Sequence, residues 1–143
     1  KLKEDFIMQQ GIGFEVRLEQ SYEKAIESVT SALKAEGFGV LTSIDVKATL
    51  KEKLGEDFRP YSILGACNPP LAHRALSAEA IAGLMLPCNV TVEALPDGGS
   101  MARIANPEAL MQLGALKDNP ALREVGSEAA ARLQRVANSL SDI

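Results

Sequence analysis

Between Phe14 and Leu33 the hydrophobic period changes, and no other feature limits the fold of this chain more. Phe14, Val16 and Leu18 alternate with Glu15, Arg17 and Glu19, the period-two signature of a strand with one face on a core and one in water. Tyr22, Ala25, Ile26, Val29, Ala32 and Leu33 then recur at three- and four-residue spacing, which predicts a helix from about Tyr22 to Glu36. Ser21 is placed to cap its start and Gly37 to stop its end. A chain that switches between these periods mixes strands with helices rather than building either alone.

The same punctuation continues. Phe38, Val40, Thr42 and Ile44 are expected to line one face of a second strand, and Asp45 opens a charged short helix, Lys47 to Leu54, closed by Gly55. Tyr61 to Cys67 reads as a third strand. Asn68-Pro69 is a helix start, because asparagine caps free N–H groups and proline fits the first helical position, so a helix over about Pro69 to Ala78 follows directly. Leu84 to Glu93 is expected as strand four. Pro96 to Gly99 is a turn, and Ser100 to Ala105 returns as the second arm of an antiparallel hairpin. Asn119-Pro120 starts a last helix, about 120–140, whose Leu122, Val125, Ala129, Leu133, Val136 and Leu140 form one stripe. The order is β-α-β-α-β-α-β-β-α: an α+β domain of about five strands over residues 13–143, preceded by an N-terminal arm, 1–12.

At 143 residues the chain can bury a core without metal or disulfide staples. A net charge of −4 with no basic run argues against nucleic acid and anionic membranes as partners. The longest apolar runs fall far short of the roughly 20 residues that a membrane span needs. Two cysteines do not make a disulfide framework, which points to a reducing cytoplasm. Lys1 to Gln10 lacks the apolar core of a signal peptide.

Those cysteines, Cys67 and Cys88, are each followed by asparagine. Cys88 shares a face with Leu84, Leu86, Val90 and Val92 and reads as an inert core thiol, while Pro87, which cannot donate to a ladder, marks an edge or a bulge. Cys67 sits just before a helix start, whose partial positive charge and free N–H groups favour thiolate and bind anions, so nucleophile, metal ligand and anion cradle all come into view. A small residue packed under a capped helix explains the same string. No Cys-x-x-Cys is present, and the single histidine, His73, falls on the solvated side of its helix, away from Leu71, Ala72, Ala75 and Leu76. Asp45 stands at a strand end and can reach the same sheet edge as Asn68, or simply cap the helix that follows. Gly11-Ile12-Gly13 lacks the third glycine and the preceding strand of a dinucleotide fingerprint.

The segments Tyr61 to Pro69 and Leu84 to Val90, with the helices near Tyr22 and around Ala72 and Leu76, resemble the family known as domain of unknown function 302 over about residues 14–110. Ala80 and Asn106 stand where that resemblance leads one to expect a proline and an aspartate. It implies a mostly antiparallel sheet with helices packed against it and a homodimer, in proteins that are usually bacterial or archaeal, and no established activity. Independently, Phe6, Ile7 and Met8 of the arm can bury themselves on a neighbouring copy. The reading that follows is a dimeric binding or sensing module with its site at Asp45, Cys67, Asn68 and Asn89, taking a small anionic, thiol-reactive or metal ligand. No cofactor or resident metal is assigned. The alternatives are a thiol-dependent enzyme with Cys67 as nucleophile, for which no complete catalytic constellation is visible, and a structural or interaction domain.

Overall fold

A computed structural model describes residues 7–9 and 11–143, with side chains from residue 11 onward. Strand β1 is Ile7–Gln9 and β2 is Gly13–Leu18; helix α1 is Tyr22–Ala35, followed by β3, Gly39–Asp45, and α2, Val46–Leu54. Then come β4, Tyr61–Cys67, α3, Pro69–Ala78, a 3-10 turn over Ala80–Met85, and the hairpin of β5, Cys88–Ala94, and β6, Ser100–Ala105. A short α4, Pro107–Leu110, a second 3-10 turn, Gly114–Asp118, and the long α5, Pro120–Ser141, complete the chain. The strands form one antiparallel sheet in the order β1-β2-β6-β5-β4-β3, so the expected α+β architecture holds, with β1 as a sixth strand beside β2. The apolar side chains assigned to the N-terminal arm, Phe6, Ile7 and Met8, lie outside the described side chains.

The sheet buries one face. Phe14, Val16 and Leu18 of β2, Val90 and Val92 of β5, and Ala102 and Ile104 of β6 are all fully or nearly fully buried beneath helices. Helix α1 contributes Ala25, Val29 and Leu33, and the α5 stripe from Leu122 to Leu140 is buried along its length, packed on α1, α3 and α4. Removing that much apolar surface from water is the main stabilising term. Helix α5 approaches α4 closely because residue 126 is glycine: a Cβ there would meet Pro107 O at 3.1 Å and the Met111 side chain at 3.3 Å. Asn106, where the resemblance suggests aspartate, caps α4 just as well by accepting from Glu108 N at 3.0 Å.

Three local expectations change. Phe38, Val40, Thr42 and Ile44 do not share a face, because the β3/β4 register shifts between Val40 and Thr42. That bulge turns Thr42 and Ile44 to the side of the sheet that carries Gly65 and Ile63. Strand β5 begins at Cys88 rather than Leu84, since Leu84 lies in the 3-10 turn that runs to Met85. Pro87 therefore marks neither an edge nor a bulge: β5 is central, between β4 and β6, and the proline stands just outside the ladder. The segment from Asn106 to Asp118, with no helix expected in it, forms α4 and the second 3-10 turn.

Candidate functional site

The end of β4 is where chemistry gathers. A cavity of about 390 Å3 opens there between the sheet, α3 and α5. Phe38, Ala66 and Cys88 line it from the sheet side, Leu71, Ala72, Ala75 and Leu76 from α3, and Met111, Val125, Gly126 and Ala129 from α4 and α5. Leu41, Thr42, Leu86 and Pro87 complete the wall with Cys67 and Asn68, and no charged residue is among the described residues that line it. Ala72 and Ala75 of α3 face this space with a methyl group each and so leave it unfilled.

Of the four site residues expected from sequence, the structure brings two together. Cys67 and Asn68 both line the cavity. Asp45 does not approach them: it pairs with Ser62, whereas Cys67 pairs with Gly39, so about 17 Å of strand separates the two ends at roughly 3.4 Å per residue. Asp45 instead caps α2, accepting from Ala48 N at 2.9 Å. Asn89 is opposite Gly65, is exposed, and is not among the residues that line the cavity. His73 is exposed, as its helical position predicts, and is not among the cavity residues.

The start of α3 differs from the anion cradle that an Asn-Pro helix start suggests. Four backbone N–H groups are normally unpaired at a helix N-terminus. Here Pro69 and Pro70 have none, Leu71 N donates to Asn68 Oδ1 at 3.1 Å, and Ala72 N donates to Asn68 O at 2.9 Å. Past the Asn68 N–H itself, no backbone donor of this helix start is left for an anion or a developing oxyanion. The missed signal was the second proline of Asn-Pro-Pro. What remains is the side-chain amide of Asn68, itself 8% exposed: its Oδ1 is occupied by the cap, and among the described residues its Nδ2 makes no hydrogen bond. Gly37 makes room for that amide, since a Cβ at residue 37 would lie 2.9 Å from Nδ2.

The second thiol belongs to the same cavity. Both cysteines are free and half-buried, and burial pushes the Cys88 thiol up to about 11, with the neighbouring Cys67 adding to the effect. Cys88 is thus a neutral thiol at physiological pH, in keeping with an inert core residue, although it also lines the pocket that sequence reasoning assigned to Cys67 alone. Among the described residues no three His, Cys, Asp or Glu side chains gather to hold a metal ion, and no helix is long and apolar enough to cross a membrane.

The family described as Domain of unknown function DUF302 matches residues 14–140. The chain belongs to the DUF302 family. Its match extends past the hairpin through α5, further than the segments that first carried the resemblance. The fold is similar to the crystal structure of an uncharacterized conserved DUF302 protein from Bacillus stearothermophilus, with 32% identity and a TM-score of 0.79, over 90% of this chain and 98% of that one. A comparison with curated proteins returns no match. Membership in the DUF302 family thus fixes the architecture, and the reading of function rests on the cavity.

Proposed function

We propose that this DUF302 domain is a homodimeric binding module for a small, uncharged, apolar molecule held in the cavity at Cys67 and Asn68. The observation that carries the reading is the cavity wall: about 390 Å3 of space bounded by aliphatic side chains, an aromatic ring, two thiols and one amide, with no charged group among the described residues. That volume falls in the roughly 300–1,000 Å3 range of small-molecule sites. An anion fits poorly, since burying a charge without a partner is costly, the wall has no cation, and Pro69 and Pro70 take two N–H groups from the α3 start. A thiol enzyme lacks its supports as well, with His73 outside the cavity and no pair of convergent helix N–H groups beside the Asn68 amide to hold an oxyanion. For the dimer, the support is the β3 edge: Leu41 and Ile44 of β3 and Leu54 of α2 are exposed, and α2 buries none of its residues.

Native mass spectrometry of protein purified without affinity chelators or apolar additives tests both parts at once. The expected spectrum is a dimer carrying a non-covalent adduct the size of a small metabolite, absent from Ala72→Leu, which fills the cavity from α3. A bare monomer that also takes up no added apolar compound sinks the reading.

A further inference from the structure

We infer that the cavity selects a neutral ligand with an apolar body and one carbonyl-type acceptor, and that the Asn68 amide is the group that recognises this acceptor. The inference deepens the binding reading above and rests on it. Three observations lead to it. First, the polar side chains of the wall reduce to Thr42, two thiols and Asn68, and Thr42 is exposed at the rim. Second, the Asn68 amide is divided in role: Oδ1 is held by Leu71 N–H, while Nδ2 makes no hydrogen bond among the described residues and, unlike Thr91 Oγ1, is not sealed from solvent. An unengaged, accessible amide donor on an otherwise apolar wall is open to a ligand acceptor. Third, from Pro69 to Ala72 the backbone donors of α3 are all consumed or absent, so the side-chain amide is the donor that the cap presents beside its own N–H.

Charge and size narrow the class. A carboxylate would enter an apolar space with one neutral donor and no cation, whereas a ketone, aldehyde or ester asks for one hydrogen bond and no counter-charge. A cavity of about 150 Å3 holds benzene, so 390 Å3 has room for on the order of a dozen non-hydrogen atoms. A medium-chain carbonyl compound meets both limits.

Asn68→Asp separates the amide's two roles. Aspartate caps a helix about as well as asparagine, so the bond from Leu71 N–H is kept while the donor is replaced by an acceptor. Decane, methyl octyl ketone and decanoate are three chains of nearly equal length for comparison, with free and bound ligand separated by equilibrium dialysis near pH 8 and quantified by gas chromatography. The wild-type protein is expected to bind decane and the ketone, and to bind decanoate at least tenfold more weakly than the ketone. In Asn68→Asp, ketone affinity is expected to fall about tenfold with decane affinity unchanged; using each ligand as its own reference removes the difference in their hydration. An unchanged ketone affinity, an equal fall for decane and ketone, or decanoate binding more tightly than the ketone overturns the inference, while decane binding by itself sustains the cavity. If none of the three binds the wild-type protein, the binding reading falls and this one with it. Asn68→Ser, another capping residue without the amide, repeats the test should the aspartate unfold the chain.

Discussion

The uncovered face of the sheet and the cavity under α3 handle polar groups in opposite ways. On the uncovered face, Glu93 receives Arg59 on one oxygen and Arg103 on the other, and Arg103 continues to Glu15 on β2. Arg59 also stacks over Phe58, 4.6 Å from the ring centroid. Each charge there has a partner of opposite sign, and the Glu93 side chain is only 7% exposed although no helix covers it. At the cavity, a few strand positions away, walls are apolar, both thiols are free and one amide N–H2 is unengaged. The first region ties its charges together, though Thr91 Oγ1 beside Arg103 is buried without a partner, while the second leaves an accessible amide donor on an apolar wall. The difference teaches that charge is stabilised on this sheet by direct pairing, whereas the space at the end of β4 is built to admit no charge at all.

Removing the centre of the paired region should have the largest effect. Glu93→Ala leaves Arg59 and Arg103 facing each other, and breaking a buried pair typically costs about 3–5 kcal/mol. Because both arginines are about half exposed, we expect a loss of about 2–3 kcal/mol, read as a shift in urea midpoint near pH 7. The pH dependence has a definite sign. Burial pushes the Glu93 carboxyl up, but its bonds to Arg103 and Arg59 outweigh that and hold it below the ordinary value of 4.5. Its contribution is therefore fully present above pH 4.5 and is lost as pH falls through the lower folded value. The stability gap between wild type and Glu93→Gln should narrow from about pH 5 to about pH 3; a gap that stays constant would mean the carboxylate charge is not what the face uses.

At the cavity, the next effect is kinetic. With its thiol at about 11 against an ordinary 9.0, Cys88 has about a hundredfold less thiolate than a free cysteine near pH 8. Iodoacetamide labelling resolved by peptide mass spectrometry should show Cys67 modified first and Cys88 lagging about a hundredfold behind a free-thiol standard, its rate climbing up to about pH 11. Labelling of Cys88 at the standard's rate would mean that the cavity is wet and open, and the contrast between the two regions would shrink accordingly.

How much of this could be read in the sequence depends on whether the signal was local. The α1 and α5 stripes, the Ser21 and Asn68 caps and the β5-β6 hairpin were legible because each is specified within a few residues by period or turn chemistry. The β3 bulge was not, since a register shift is settled by pairing with β4 and moves Thr42 and Ile44 without changing the alternation in the sequence. Asp45 was drawn to the site by a strand-end argument that ignored direction: in an antiparallel pair, the end of β3 lies beside the start of β4. The cavity was invisible for a related reason. Cys67, Asn68 and Ala72 are neighbours in sequence, but Phe38 and Cys88 join them through the pairing of β3 and β5 with β4, and Met111 and Ala129 through the packing of α5. The Arg59-Glu93-Arg103-Glu15 chain spans three strands and a loop, and charges at alternating positions look the same in sequence whether paired or solvated.

The smallest effect we expect isolates the support of the Asn68 amide. Gly37 and Gly55 each follow a helix, after α1 and α2, with φ of 84° and 70°, so an alanine at either position meets the same left-handed backbone at a cost of about 1 kcal/mol. Their surroundings differ. Nothing lies within 4 Å of a Cβ at residue 55, whereas a Cβ at residue 37 would sit 2.9 Å from Asn68 Nδ2. Gly55→Ala should therefore report the backbone cost alone, as a modest fall in melting temperature with ligand binding intact. Gly37→Ala should show that cost plus a few tenths of a kcal/mol for displacing the amide, and a loss of ketone affinity that decane does not share, because the donor is moved while the apolar wall stays in place. Calorimetric melting and the dialysis measurement on both variants make the comparison. If the two alanines behave alike in both measurements, the amide yields freely and Gly37 does not position it; if Gly37→Ala weakens decane as much as the ketone, the substitution has altered the cavity itself rather than the aim of Asn68.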